Sequence, residues 1–368
     1  MRKKLPELCD IQYGYAFDSA GFTADSSYPP LVRIRDVKRG YSETYYEGDY
    51  PEEYILHAGD LLVGMDGEFN ISRWKSRDAL LNQRVCKVTA KEGTNEEYLR
   101  FALSKALKEI ESRTAFVTVK HLSSKELNKL ELCVPTILEQ NIIADTLSRV
   151  EQIISLRSME IQKFDDLVKA RFVEMFGDCT TEVLIGDVIT ICRGASPRPI
   201  QAFITEAVDG VNWIKIGDVS ENSLYITQTA EKITQEGAKK SRAVHKGDFI
   251  LSNSMSFGRP YILAIDGCVH DGWLILSDFR DTFDELYLYH ALRSEHVQHQ
   301  FSGKVNGATV KNLNSDLVKT TYIQVPDINE QKSFADFCKQ VDKSKVAVQK
   351  ALDEAQLLFD SLMQQYFG

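Results

Sequence analysis

Two short segments of this sequence concentrate side chains whose hydrogen-bonding groups suit the edges of DNA bases. One extends from Met65 to Trp74, and the other extends from Asn253 to Arg259. Carboxylates accept hydrogen bonds from cytosine, asparagine pairs with adenine, and arginine or lysine pairs with guanine. The candidate base contacts in and beside these segments are Asp66, Glu68, Asn70, Arg73, Lys75, Asn253, Ser254 and Arg259. For Arg73, Lys75 and Arg77 the alternative is that they are solvated surface charges.

A second pair of segments has the composition expected of contacts to a nucleic-acid backbone. The stretch 303–311 combines Gly, Asn, Thr and Lys, which suit phosphate, and its counterpart is 113–120. Thr-Val-Lys occurs in both stretches, so the same contact could be made twice, or the tripeptide could simply cap the following element. The candidates here are Thr118, Lys120, Lys304, Asn306, Thr309 and Lys311, and further cationic candidates are Arg33, Arg35, Arg193 and Lys215.

These segments belong to an internal repeat, which is the main organising feature of the sequence. Residues 32–37 correspond to 214–219 at a shift of 182, and residues 57–63 correspond to 245–251 at a shift of 188. From residue 118 onward the shift stays at 191 to the end of both copies. The insertions therefore lie in the front parts. Two recognition modules with different targets on one frame would show this pattern, although neutral loop drift would also produce it.

Each copy is predicted to be a mixed α/β module. Short apolar runs bounded by Gly, Asn and Asp, such as 31–35 and 249–252, predict strands. Amphipathic runs that follow Glu96 and Asp284 predict helices, because acidic residues stabilise a helix N-terminus.

Each copy then ends in a long helical pattern. The stretch 136–176 contains no Pro or Gly, and its apolar residues alternate at spacings of three and four, which is typical of a coiled-coil seam. The second copy has an equivalent seam and the same uninterrupted length. The seam residues are Leu147, Val150, Ile154, Ile161, Phe164 and Val168 in the first helix, and Val341, Val348, Leu352, Phe359 and Leu362 in the second.

Polar interruptions of the two seams favour pairing between the helices of one chain. Arg157 and Arg171 interrupt the first seam, and Lys345 interrupts the second, so neither helix is a good partner for itself. An antiparallel pair would space the modules and give the pseudo-twofold symmetry that suits two half-sites on a duplex. The alternative is that each helix packs on its own module.

The composition limits how the chain could bind nucleic acid. It has 368 residues and a formal net charge of -9, which excludes a protein that coats DNA with many Lys and Arg. Binding must therefore be local or supported by a basic partner, and a scaffold whose modules bind protein is a rival hypothesis. Scattered cysteines and the lack of a long apolar stretch predict a cytoplasmic protein without a metal site or membrane span.

No motif for catalysis stands out. The sequence lacks a glycine-rich nucleotide loop and the Asn-Pro-Pro-Tyr string of adenine methyltransferases. Pro326-Asp327 and Glu330-Gln-Lys332 superficially resemble a nuclease motif, but they lie too close together at a helix start to converge on a metal ion. Asp60 and Asp248 follow glycines in tight turns, where we expect them to bond nearby backbone. We expect no catalytic residue and no bound cofactor.

Several strings resemble the target-recognition domains of type I restriction-modification specificity subunits. The first copy contains Gly59-Asp-Leu-Leu-Val-Gly-Met-Asp-Gly-Glu-Phe-Asn70 and Leu80-Leu-Asn-Gln-Arg-Val-Cys86. The second contains Gly247-Asp-Phe-Ile-Leu-Ser-Asn-Ser-Met-Ser-Phe-Gly-Arg-Pro260 and His270-Asp-Gly-Trp273. The Val-Pro, Glu-Gln and long helix that close each copy add to the resemblance, which covers nearly the whole chain.

The resemblance implies an α+β fold with two similar mixed α/β target-recognition domains, joined and spaced by an antiparallel intramolecular coiled coil with pseudo-twofold symmetry. The first domain is expected at 1–138 and the central helix at 139–178. The second domain is expected at 179–326 and the C-terminal helix at 327–368.

The resemblance also implies a function and a set of partners. The chain would be a non-catalytic subunit that binds a bipartite, asymmetric site on double-stranded DNA. Two modification subunits would hold S-adenosylmethionine and methylate adenine N6, and two restriction subunits that use ATP and Mg would join in systems that also restrict. A methylation-only relative is the alternative.

Overall fold

A computed structural model describes residues 1–113, 121–219, 223–253, 258–303 and 313–368. The chain folds into two compact units. Unit 1 consists of residues 1–159 with 349–368, and unit 2 consists of residues 160–348. Both boundaries fall inside long helices, so each unit contains one globular module and part of each helix. The division into four segments made from the repeat stays a prediction.

The module of unit 1 is built from short strands and helices. Its strands are β1 (Arg2–Lys4), β2 (Cys9–Tyr13), β3 (Phe22–Thr23), β4 (Leu31–Val32), β5 (Tyr45–Tyr46), β6 (Ile55–Leu56), β7 (Leu61–Gly64), β8 (Ile71–Arg73), β9 (Ala79–Leu81), β10 (Val85–Ala90) and β11 (Glu131–Cys133). Its helices are α1 (Leu5–Leu8), α2 (Ile34–Arg39), α3 (Glu96–Arg113) and α4 (Ser124–Lys129), with 3-10 turns at Ser19–Gly21 and Glu52–Tyr54.

The central sheet of this module has the strand order β2-β10-β7-β8, and its neighbours are antiparallel. Leu61 and Val63 of β7 pack into one core with helix α3, while Leu62 packs into a second core with the sheet β4-β9-β6. Alternate side chains of a strand point to opposite faces. Because both faces are covered, β7 is a continuous apolar run instead of an alternating one.

The long helix α5 (Ile137–Phe176) leads into the module of unit 2. The strands of that module are β12 (Glu182–Leu184), β13 (Thr190–Arg193), β14 (Ile204–Thr205), β15 (Val211–Ile214), β16 (Tyr225–Ile226), β17 (Glu231–Ile233), β18 (Arg242–Val244), β19 (Phe249–Ser252), β20 (Pro260–Leu263), β21 (Gly267–Val269), β22 (Trp273–Ser277) and β23 (Tyr322–Gln324). Its helices are α6 (Ile185–Val188), α7 (Gln235–Lys239), α8 (Glu285–Arg293), α9 (Glu295–Gly303) and α10 (Ser315–Lys319), followed by the long helix α11 (Ile328–Phe367). Two 3-10 turns lie at Ile200–Ala202 and Ile216–Asp218.

The two modules share a frame and differ in their additions. The order β13-β22-β19-β20 in unit 2 repeats β2-β10-β7-β8, and β15-β21-β18 repeats β4-β9-β6. Unit 2 then adds β16 to the first sheet. Its pair β14-β17, which extends the second sheet, has a counterpart in the two-stranded sheet β3-β5 of unit 1, where Tyr45 of β5 bridges to Pro30 just before β4. The added strand β16 lies in the front part of the second copy, where the sequence places its insertions.

The prediction of one strand over residues 31–35 was wrong. The strand ends at Val32, and helix α2 begins at Ile34 because the Asp36 carboxylate accepts a hydrogen bond of 2.9 Å from the Arg33 backbone N–H. Gly40 ends the helix with a φ of 78°, a left-handed conformation that glycine adopts without strain. Arg33 and Arg35 therefore belong to a helix start and not to a strand.

The two long helices span 40 residues each, which corresponds to about 60 Å. Along both, the seam residues are buried or half-buried. In unit 2, Lys345 of α11 lies 2.6 Å from Asp165 of α5, and further along, Phe334 packs edge-on against Phe172. Residue numbers rise along α5 while they fall along α11. The parts of the two helices in unit 2 therefore run antiparallel.

A buried glutamine joins each long helix to its module. Gln140 and Gln331 are 1% and 0% exposed. The side-chain oxygen of Gln140 accepts a hydrogen bond of 2.9 Å from the Asn95 backbone before α3, and that of Gln331 accepts one of 2.9 Å from the Asp284 backbone before α8. The repeated Glu-Gln pair is thus a structural joint in both copies, in line with the helix-terminal role predicted for it.

Candidate nucleic-acid interface

An open cleft of about 1030 Å³ lies in unit 2 where β13 ends and β22 begins. Three of the side chains predicted to contact DNA, Arg193, Lys215 and Asn253, line it. The structure adds six more polar side chains that the sequence did not single out as contacts. These are Ser196, Arg198, Gln201, Glu231, His270 and Asp271.

Asp271 is held in this cleft through both its side chain and its backbone. The Ser196 hydroxyl donates a hydrogen bond of 2.8 Å to Oδ1, and the Arg198 guanidinium lies 3.4 Å from Oδ2. Arg193 Nε and the Asn253 amide donate to the Asp271 backbone carbonyl at 3.0 and 3.1 Å. The hydrogen bond from Ser196 is the main cause of a pKa for the Asp271 carboxyl below its usual value. The side chain is therefore an ionised acceptor at neutral pH.

A close approach of two chain segments forms the wall behind Asp271. A Cβ atom on Gly194 would lie 2.1 Å from the carbonyl oxygen of His270, so this position accepts only glycine. The His270 ring lies 2.7 Å from the Gly272 backbone nitrogen, and burial lowers the pKa of the imidazole. His270 is thus a neutral, partly buried side chain that orders the turn before β22.

Lys215 and Asn253 have fixed partners in the cleft. Lys215 Nζ lies 2.6 Å from a carboxylate oxygen of Glu231, and this pair is partly exposed. Asn253 is 5% exposed, and its side-chain amide supports the Asp271 carbonyl. Asn253 therefore shapes the cleft, whereas Arg193 and Arg198 are exposed on its rim.

Unit 1 carries a different set of side chains at the corresponding place. A Cβ atom on Gly14 would lie 2.0 Å from the Asn82 carbonyl oxygen, as one on Gly194 would from His270. Asn82, Gln83 and Arg84 therefore occupy the positions of His270, Asp271 and Gly272. The Arg84 guanidinium lies 3.1 Å from the Asp66 carboxylate, which also contacts His121. Arg84 has a φ of 74°, which is uncommon for a residue with a side chain.

The remaining candidates of unit 1 are divided between exposed and engaged side chains. Arg73 lies on β8 and contacts Glu96 and Glu97 at 2.7 and 2.6 Å, so its charge is already compensated. Lys38 and Glu68 form an exposed pair at 3.1 Å. Asn70 places its side-chain oxygen in a buried position with no hydrogen-bond partner in the described part of the chain. The exposed candidates are Arg33, Arg35 and Lys75.

Of the other predicted contacts in unit 2, the structure describes Arg259, which does not line the cleft. Arg259 is half-buried, and its backbone N–H donates a hydrogen bond of 3.2 Å to the Ser252 hydroxyl. The candidates that lie outside the described residues are Thr118, Lys120, Ser254, Lys304, Asn306, Thr309 and Lys311.

The turns that precede the central strands have the structural role predicted for their aspartates. Asp60 accepts a hydrogen bond of 2.8 Å from the His57 backbone, and Asp248 accepts one of 2.8 Å from the His245 backbone. Gly59 precedes Asp60 with a φ of 98°. Each carboxylate therefore closes its turn, as expected.

Metal ligation and membrane insertion find no support in the described part of the chain. Over those ranges, no group of three or more His, Cys, Asp and Glu side chains could hold a metal ion. Among the helices in those same ranges, none combines the length and apolar character needed to cross a bilayer.

Comparison with known proteins defines the family. The model of the type I restriction modification DNA specificity domain matches residues 1–163 and again residues 180–355. The specificity subunit of the type I restriction enzyme EcoBI from Escherichia coli is 28% identical over 99% of this chain and 84% of its own length. The type I restriction-modification S subunit of M. genitalium has a similar fold, with a TM-score of 0.58 at 14% identity, covering 100% of this chain and 96% of that one. A second solved structure, from work on complex assembly and conformational transition of the type I R-M system, has a TM-score of 0.59 at 17% sequence identity. The match covers 100% of this chain and 97% of that one.

The chain therefore belongs to the family of type I restriction-modification specificity subunits. It carries the two repeated target-recognition domains of that family, one in each unit. Specificity subunits are non-catalytic members of type I complexes, in which they work with DNA and with the other subunits.

Proposed function

We propose that this chain recognises a split, asymmetric DNA site, with the module of unit 1 contacting one half and the module of unit 2 contacting the other. Bound there, it directs adenine N6 methylation by two modification subunits. Those subunits hold S-adenosylmethionine, and two restriction subunits that use ATP and Mg join where the system also restricts. The chain itself acts in the cytoplasm and contributes recognition and geometry.

The observation that carries this proposal is one frame with two different sets of exposed side chains. At corresponding positions unit 1 presents the side chains of Gln83 and Arg84, whereas unit 2 presents the side chain of Asp271 followed by Gly272, which has none. Hydrogen-bonding side chains on a fixed backbone are what direct recognition of base edges requires. Because the two sets differ, the two modules are expected to prefer different sequences, and an asymmetric site follows.

The long helices supply the spacing in this proposal. In unit 2 their segments already run antiparallel, joined by the pair of Asp165 and Lys345. In this proposal the same pairing continues along the full helices as a coiled coil. The burial or half-burial of the predicted seam residues along both helices supports it. Such a coiled coil holds the modules at a set separation and fixes the gap between the halves of the site.

The net charge of the chain bears on which subunit contacts the DNA backbone. A net charge of -9 leaves little capacity for the many phosphate contacts that give tight DNA binding. The modification subunits are therefore expected to supply most of the contacts to the DNA backbone, while this chain selects the sequence.

The test is the methylation pattern of a host that expresses the chain with its modification subunit. Genomic N6-methyladenine is expected in one split motif, which disappears when the gene for this chain is deleted. Replacing residues 1–138 by the front module of another specificity subunit is expected to change one half of the motif only. Methylation that persists unchanged after the deletion contradicts the proposal.

A further inference from the structure

The cleft of unit 2 contains an acceptor and a donor placed side by side, and their chemistry suggests what they bind. One oxygen of the Asp271 carboxylate is occupied by the Ser196 hydroxyl at 2.8 Å, which orients the group. The other oxygen has the long contact of 3.4 Å with the Arg198 guanidinium. The Asp271 side chain is 42% exposed and that of Arg198 is 82% exposed, so both can meet a ligand.

The support behind this pair fixes its position. Arg193 and Asn253 hold the Asp271 backbone, and the close approach of Gly194 to His270 leaves no room for the turn to shift inward. The exposed Arg198 side chain, in contrast, has space to change its rotamer. A fixed acceptor next to an adjustable donor fork is suited to a planar, rigid target with a donor beside two acceptors.

The edge of a C·G base pair in the major groove has this pattern. Cytosine presents its N4 amino group as a donor, and guanine presents O6 and N7 as acceptors that pair with a guanidinium in two bonds. A phosphate would repel the Asp271 carboxylate, so a site for the DNA backbone alone fits the cleft poorly. A T·A or A·T pair lacks the adjacent acceptors that a guanidinium fork needs.

We propose that Asp271 and Arg198 determine specificity by recognising one C·G base pair in the half-site of unit 2, with cytosine facing Asp271 and guanine facing Arg198. This assignment rests on the proposed function and adds the chemical identity of one recognised pair. Ser196 acts as a positioning residue, because it contacts Asp271 and not the base.

The contrast with unit 1 supports this assignment. Gln83 stands at the position of Asp271, and Ala16 stands at the position of Ser196, since Gly14 corresponds to Gly194. A glutamine amide both donates and accepts, so it lacks the strict preference of a carboxylate for a donor. The half-site of unit 1 is therefore not expected to require the same pair at the equivalent place.

The test compares the methylated motif of the wild-type complex with those of complexes carrying Asp271→Asn or Arg198→Gln. Either change is expected to relax one C·G pair in one half of the motif, with a drop in preference of about 10-fold to 100-fold over the other pairs. The other half stays intact. Asp281→Asn is the matched control, because Asp281 is an exposed aspartate beyond the opposite end of β22 and does not line the cleft.

Three results overturn the assignment. They are an unchanged motif in both variants, relaxation at a pair other than C·G, and a uniform loss of methylation with Arg198→Gln that leaves the motif unaltered. If Asp271→Asn abolishes methylation by misfolding, Arg198→Gln decides, because that side chain is almost fully exposed. A wild-type complex that methylates no split motif refutes the proposed function itself, and this assignment with it.

Discussion

Shortening both long helices by one heptad is expected to shorten the gap in the DNA site by about three base pairs. Seven helical residues span about 10 Å at 1.5 Å per residue. One base pair of B-DNA occupies about 3.4 Å along the axis, so the same distance corresponds to roughly three pairs. The prediction depends on the proposed coiled-coil spacer and does not depend on the structure of the modules.

The deletion is placed so that the seams survive. Residues 154–160 are removed from α5 and residues 350–356 from α11, which lie opposite each other if the pairing of Asp165 with Lys345 continues. A full heptad keeps the apolar residues on the same face. Removal of 154–160 alone is the control, because it puts the two seams out of register and is expected to abolish methylation.

The assay is the motif of methylated adenines in cells that contain the shortened chain and the modification subunit. Three base pairs also turn one half-site by about 100° around the DNA, because a turn takes about 10.5 pairs, so slower methylation is expected. Insertion of a heptad into both helices is expected to lengthen the gap by the same amount. A methylated motif that keeps both halves and the original gap in the shortened chain would refute the proposed spacer role.

Three further predictions concern stability. Gln331→Ala is expected to lower the free energy of unfolding by about 1–3 kcal/mol in urea titration, because it leaves the partly buried Asp284 backbone N–H without its acceptor. A loss no larger than that of the exposed Gln356→Ala contradicts this. Arg73→Met is expected to lower the free energy of unfolding by about 1 kcal/mol, because it removes the partly exposed ion pairs with Glu96 and Glu97. The methylated motif is expected to stay unchanged, and an altered motif would indicate that Arg73 contacts a base. Burial lowers the pKa of His290 to about 4, so the unfolded state binds the proton more readily and stability falls as pH drops through 6.5 towards 4. His290 contributes about 2 kcal/mol to the loss of stability between pH 8 and pH 5, and that part should be absent in His290→Phe. A loss in that variant equal to the loss in the wild type would count against the assignment.

The long helices were predictable because their signal is local and periodic. Spacings of three and four without Pro or Gly specify a helix, and both long helices run without interruption over these stretches. The residues named for the seam are buried or half-buried, and their pairing along the full helices stays a prediction. The strand proposed at 31–35 was wrong for a related reason. Its apolar alternation is short, and the cap that Asp36 forms on Arg33 overrides it.

The candidate site was less predictable because it depends on contacts between distant parts of the chain. Ser196 and Asp271 are separated by 75 positions, and no spacing rule links them. Arg193, Lys215 and Asn253, which the sequence named as DNA contacts, line the same cleft, and the string His270-Asp-Gly-Trp273 resembled the family. The sequence likewise did not show that Glu96 and Glu97 compensate the charge of Arg73. The Arg73→Met variant tests whether this side chain contacts a base.

The path of the chain through the two units has a consequence for the order in which they can be completed during synthesis. Unit 1 joins residues 1–159 to 349–368, and Tyr98 and Phe101 of α3 pack against Phe367 and Phe359 near the end of α11. Unit 2 is one continuous stretch. The module translated first must therefore wait for the last helix turns to leave the ribosome, and unit 2 can close earlier. A nonsense mutation near residue 349 is expected to harm the module at the start of the chain first.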